Sequence, residues 1–79
     1  MSDNLEELIR NKLSEKLDVS DLRLACDGNK CEVHISSVDF RGLRVVKRHQ
    51  LVYAAVEEFI FDGRLHALVI HASTPEEQP

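Results

Sequence analysis

Seventy-nine residues suffice for one domain and one small core, and an apolar share of 43% is that of a folded chain, not a disordered one. The lack of Trp, with one Tyr and three Phe, argues against a nucleic-acid platform of stacked aromatics, and the net charge of −4 argues against non-specific DNA binding. No stretch reaches the roughly 18–20 apolar residues of a membrane span, Met1-Ser2-Asp3-Asn4 has no signal-peptide pattern, and two cysteines make no disulfide framework, so a cytoplasmic, reducing setting is expected.

Residues 4–17 read as a helix, because Leu5, Leu8, Ile9, Leu13 and Leu17 fall on one stripe. Asp3 with Glu6, or Asn4 with Glu7, has capping-box spacing. Residues 21–26 alternate as a half-buried strand, with Leu22, Leu24 and Cys26 on one face. Asp27-Gly28-Asn29-Lys30 signals a hairpin, and the returning strand sets Cys31, Val33 and Ile35 against Glu32, His34 and Ser36. The loop 36–42 is anchored by Phe40, and Gly42 supplies a positive φ where the chain enters a helix. That helix runs over 43–61, with Val45, His49, Val52, Val56, Phe59 and Ile60 on its stripe and Gly63 as its left-handed stop. Residues 65–72 form a third strand, which a helical crossover makes parallel to the second. The expected architecture is α+β, a mixed three-stranded sheet with helices on one face, ordered over 4–73 and loose over 74–79.

His66 is the first candidate site residue. At the start of a strand, just past Gly63, its ring should be reachable for metal ligation or proton exchange, although a histidine there can also serve only as a hydrogen-bonding structural group. Cys26 and Cys31 flank the hairpin turn and read as small hydrophobes, Cys31 with the more exposed position. Arg41, Arg44, Lys47 and Arg48 gather about a helix N-terminus, where a phosphate, a nucleic-acid backbone or an acidic partner could bind, or where the charges simply meet solvent. His49 and His71 read as structural. No nucleophile–base arrangement or paired carboxylates stand out, which argues against an enzyme.

The segment F-R-G-L-R-V-V-K-R-H-Q-L-V-Y at 40–53, then H-A-L at 66–68 and T-P at 74–75, resembles the BolA family, in particular its short bacterial BolA-like members. The resemblance extends over nearly the whole chain and implies an α-β-β-α-α-β fold of the class II KH type, with a short helix or turn split off before the long one. It also implies a partner of monothiol glutaredoxin in iron–sulfur assembly and iron regulation, a monomer or weak dimer alone. With glutathione, the two would share a [2Fe–2S] cluster. His66 matches the family's histidine ligand. The hairpin position that carries a second ligand in many members is Lys30 here, so either Cys31 turns outward and substitutes or the second protein ligand is missing. The family's other theme, stress response and gene regulation through a KH-like fold, maps onto Arg41, Gly42, Arg44, Lys47 and Arg48 as a nucleic-acid contact.

Overall fold

The computed structural model describes residues 4–77. Helix α1 (Leu5–Lys16) leads into strands β1 (Val19–Asp27) and β2 (Lys30–Ser37), a 3-10 turn (Val38–Phe40), helix α2 (Val45–Phe61), strand β3 (Ala67–Ser73) and a second 3-10 turn (Pro75–Glu77). The sheet order is β1-β2-β3, with β1 antiparallel and β3 parallel to the central β2. The expected α+β class and mixed sheet are present, with a 3-10 turn, not an α-helix, in the place of the short element before α2.

Asn4 caps α1, its side-chain oxygen accepting from Glu7 N at 3.2 Å. The Asp3 alternative lies outside the described residues. Between β1 and β2 only Gly28, not Asn29, takes a positive φ (66°), as a two-residue II′ hairpin requires. Gly42 (φ 76°) turns the chain into α2, and Gly63 (φ 85°) stops it. α2 begins at Val45, two residues later than the stripe suggests, and Val45 itself is 62% exposed. The strip that is buried is Val52, Ala55, Val56 and Phe59.

The core forms where α1 and α2 cover one face of the sheet. Ile9 and Leu13 meet Val52, Val56 and Phe59 over Leu24, Val33, Ile35 and Ile70, and Phe40 seals one end with no exposed surface. Lys12 bridges the two helices, its Nζ 3.0 Å from Glu58 Oε1. Alternation along each strand leaves the other face open, with Arg23, Ala25, Glu32, Val69 and His71 exposed on it.

Two expectations need correction. The tail expected to be loose over 74–79 is fastened to the fold at 74–77, while 78–79 lie outside the described residues. Thr74 is buried, its N–H donates to Glu77 Oε1 at 3.0 Å, and Arg48 holds Glu77 from α2. Cys26 and Cys31 are not free thiols: they oppose each other directly in the β1–β2 register and are joined by a disulfide. The closed loop is short (sequence separation 5), so reduction is expected to cost about 2 kcal/mol by chain entropy. Urea unfolding with and without reductant checks this, and coincident midpoints would contradict a cross-link that stabilises the hairpin.

Candidate functional site

β3 starts at Ala67, so Leu65 and His66 form a link between α2 and the strand. Leu65 is buried, its N–H bonded to Phe59 O at 2.9 Å, which pins the link to the end of α2. His66 is exposed, and its backbone N–H donates to Asn29 O at 2.8 Å, so the link is also stitched to the hairpin turn. The parallel register continues this juxtaposition, pairing Lys30 with Ala67 and Cys31 with Leu68. The fold therefore sets the reachable imidazole beside the β1–β2 turn, although 37 positions separate Asn29 from His66 in the chain.

Neither of the two hairpin residues considered as the second ligand is a good one. Lys30 is exposed and has no lone pair to give while protonated. Cys31 does not turn outward to substitute: it is 4% exposed on the core side of β2, and its sulfur is bonded to Cys26. A disulfide sulfur is not the thiolate that binds iron. The signal for this pairing was legible: a two-residue turn that pairs Asp27 with Lys30 must pair Cys26 with Cys31.

The basic group divides in two. Arg48 turns inward, donating from Nε to Leu43 O (2.9 Å) and from one terminal nitrogen to Ala72 O (3.2 Å), while its fork grips Glu77 at 2.7 and 3.0 Å. Arg41 pairs with Glu76, its Nε 3.2 Å from Oε1. The Arg48 guanidinium, assisted by the Thr74 N–H, holds the Glu77 carboxyl well below its ordinary value, at about 2. Bonding to Arg41 likewise lowers Glu76. Only Arg44 and Lys47 of the four remain as exposed cations with no ion pair among the described residues. Arg44 occupies the N-cap of α2 without a side-chain cap hydrogen bond, and the first turn contains no acidic residue.

One cluster was missed by sequence reasoning. Glu32, His34 and His71 meet on the open face of the sheet, with Glu32 Oε2 2.9 Å from His71 Nε2. Strand alternation sets His34 away from Cys31, and His71 by its sequence reads as structural. Nothing local in the chain announces that β2 and β3 bring them together.

The family profile described as BolA-like protein matches residues 10–77. The chain belongs to the BolA-like family. Acid stress protein IbaG of Escherichia coli strain K12 is 35% identical over 69 residues, covering 87% of this chain and 82% of that protein. BolA1 from Arabidopsis thaliana superposes with a TM-score of 0.86 at 36% identity, covering 99% of this chain and 100% of the other. A protein of Haemophilus influenzae named DNA-binding transcriptional regulator BolA is 44% identical over 43 residues, which cover 54% of this chain and 41% of that protein.

In this BolA-like protein the two motif blocks are in contact. The Tyr53 hydroxyl on α2 donates to Leu68 O in β3 at 3.4 Å, whereas Arg48 reaches Ala72 O, so the basic first turns of α2 lie toward the end of β3 away from His66. Gly42 and Arg48 of the first block have structural tasks, the turn and the clamp, while His66 of the second block is left unburied.

Proposed function

We propose that this BolA-like protein is a non-enzymatic partner of a monothiol glutaredoxin, acting in iron–sulfur cluster assembly and trafficking and in iron homeostasis. The observation that carries the reading is His66, an exposed imidazole whose backbone is tied to the hairpin turn, at the position that matches the family's histidine ligand. It fits a shared [2Fe–2S] cluster to which this chain gives one ligand while glutaredoxin and glutathione give thiolates. A neutral imidazole in place of a thiolate raises the potential of such a cluster. His66 supplies the donor nitrogen, the bond to Asn29 fixes the approach of its backbone, and Arg44 and Lys47 are cations available to an acidic partner. Arg48, committed to Leu43, Ala72 and Glu77, is not assigned to docking, and Cys31 is not assigned to the metal.

The test is visible absorption and circular dichroism of a cluster reconstituted with a monothiol glutaredoxin and glutathione, with and without this protein. The expected spectrum differs from that of glutaredoxin alone, persists with Cys31→Ser and reverts with His66→Ala. A spectrum indifferent to His66→Ala would remove the ligand assignment. No response to the protein at all would sink cluster sharing with that glutaredoxin. The weight would then move to the second reading, a nucleic-acid-binding regulator of the stress response, which the names of the E. coli and Haemophilus relatives favour. With Arg41 and Arg48 engaged by Glu76 and Glu77, that reading rests on Arg44 and Lys47, too few phosphate contacts for strong binding without a partner.

A further inference from the structure

Along the open face of the sheet, β1 sets Arg23 and Ala25 beside His34 and Glu32 of β2, and β3 sets His71 and Val69 beside the same two residues. His34 and His71 are direct partners in the parallel register, and their rings stack with centroids 4.2 Å apart and planes 9° from parallel. Glu32 lies two residues before His34, hence on the same face, and directs one carboxylate oxygen at both rings: 2.9 Å to His71 Nε2 and 3.6 Å to His34 Nε2. The candidate donor atoms of the three residues all lie within 4.8 Å of one another. The three side chains are 44% to 52% exposed, so an ion and its waters can reach them, and the rings retain freedom to turn.

We propose that Glu32, His34 and His71 bind a borderline divalent transition ion of the Zn2+ class. Two imidazoles and one carboxylate are a donor set that suits zinc with one position open to water, whereas Mg2+ and Ca2+ prefer oxygen donors throughout. In a tetrahedral site with bonds of about 2.0–2.1 Å, donor atoms stand roughly 3.4 Å apart. The two carboxylate-to-imidazole separations lie on either side of that value. Seating the ion requires the parallel rings to tilt so that their lone pairs converge, a rotation about exposed side-chain bonds that leaves the backbone in place.

Without an ion, the group is a surface carboxylate between two imidazoles, an arrangement that contributes little to stability by itself. Arg23, beside His34, and Lys30, further along β2, add positive charge to the same face and oppose a dication, while Asp27, paired with Lys30, offsets part of that. The site is separate from the proposed cluster ligand. His66 precedes His71 by five residues, about 16 Å along an extended chain. The disulfide sulfurs belong to the core-facing alternation of β1 and β2, not to this face. His49 of α2 lines the same surface hollow as His34 and His71 and is therefore the informative control.

Calorimetric titration of the full chain with Zn2+, in the absence of glutaredoxin, tests the site. One equivalent is expected to bind, and His34→Gln and His71→Gln are each expected to weaken binding at least about tenfold. His49→Gln and His66→Gln should keep the parent affinity, and far-UV circular dichroism should show every variant folded. In the parent, histidine ring resonances of His34 and His71 should move together as zinc is added. The proposal is overturned if the parent shows no saturable one-to-one binding. It is also overturned if the His34→Gln/His71→Gln double variant binds as the parent does, or if His66→Gln or His49→Gln abolishes binding. None of these outcomes depends on whether a cluster is shared with glutaredoxin.

Discussion

Phe40→Ala is expected to remove about 3–5 kcal/mol of stability, the range for truncating a fully buried phenylalanine. Phe40 has no exposed surface and belongs to the same apolar cluster as α1, α2 and the sheet, although it sits in a three-residue 3-10 turn. A chain of this length has a total stability of roughly 4–12 kcal/mol at ~0.05–0.15 kcal/mol per residue, so the loss is a large share of the whole. It corresponds to a fall in Tm of roughly 12 °C or more. The turn is also the entry to α2, since Phe40 O accepts from Leu43 N at 3.1 Å, so a collapsed Phe40 cavity disturbs the start of that helix as well. Phe61→Ala is the matched control. Phe61 is 82% exposed at the last turn of α2, and its truncation should stay within about 0.5 kcal/mol. Urea unfolding of both variants beside the parent decides the matter: equal losses would contradict the burial of Phe40.

Arg48→Ala has the second large effect, about 2 kcal/mol, because two carbonyls and a carboxylate lose one charged donor together. Leu43 O and Ala72 O lie at the start of α2 and near the end of β3, so the guanidinium ties the helix entry to the sheet. Arg48 is only 12% exposed while Glu77 is 48% exposed, so more of the effect is assigned to the carbonyl bonds than to the screened ion pair. Lysine should not restore the parent, since one ammonium cannot reproduce the planar fork that reaches Leu43, Ala72 and both oxygens of Glu77.

The clamp also has an acid limb. The Glu77 carboxyl is held at about 2, against an ordinary 4.5, chiefly by its bond to Arg48. A carboxyl lowered by folding stabilises the folded form above its unfolded pKa, and that contribution is lost as pH falls through the folded value. The window is therefore from about 4.5 down to about 2. Glu76 beside Arg41 and Asp62 beside Arg64 are lowered too and act in the same direction. Melting curves across this range should show a shallower acid decline for Glu77→Gln than for the parent. Identical slopes would mean that the clamp is open in solution.

Much of the fold was legible because its rules are local. A 3.6-residue apolar period marked both helices, two-residue alternation marked the inward faces of β1 and β2, and glycines appeared where φ is positive at 28, 42 and 63. Boundaries were less secure. Val45 has the right spacing for the buried stripe but is the first residue of α2 and is 62% exposed. Leu65 and His66 continue the alternation of β3, yet Leu65 is claimed by a backbone bond to Phe59 and His66 by one to Asn29, so the strand starts later.

The sequence by itself determined the pattern of elements, the apolar face of each, the family, and His66 as the residue to watch. These depend on spacing within single elements and on motif blocks. The tertiary structure alone decided which distant side chains meet. Arg48 looked like one more exposed cation until the end of β3 and the turn after it came beside α2, where unpaired carbonyls and Glu77 outcompete water for its five donors. Glu32, His34 and His71 do not read as one group in the sequence for the same reason. The register of two parallel strands joined through a helix is set by how the whole core packs, and no short-range pattern encodes which residue of β3 stands beside His34.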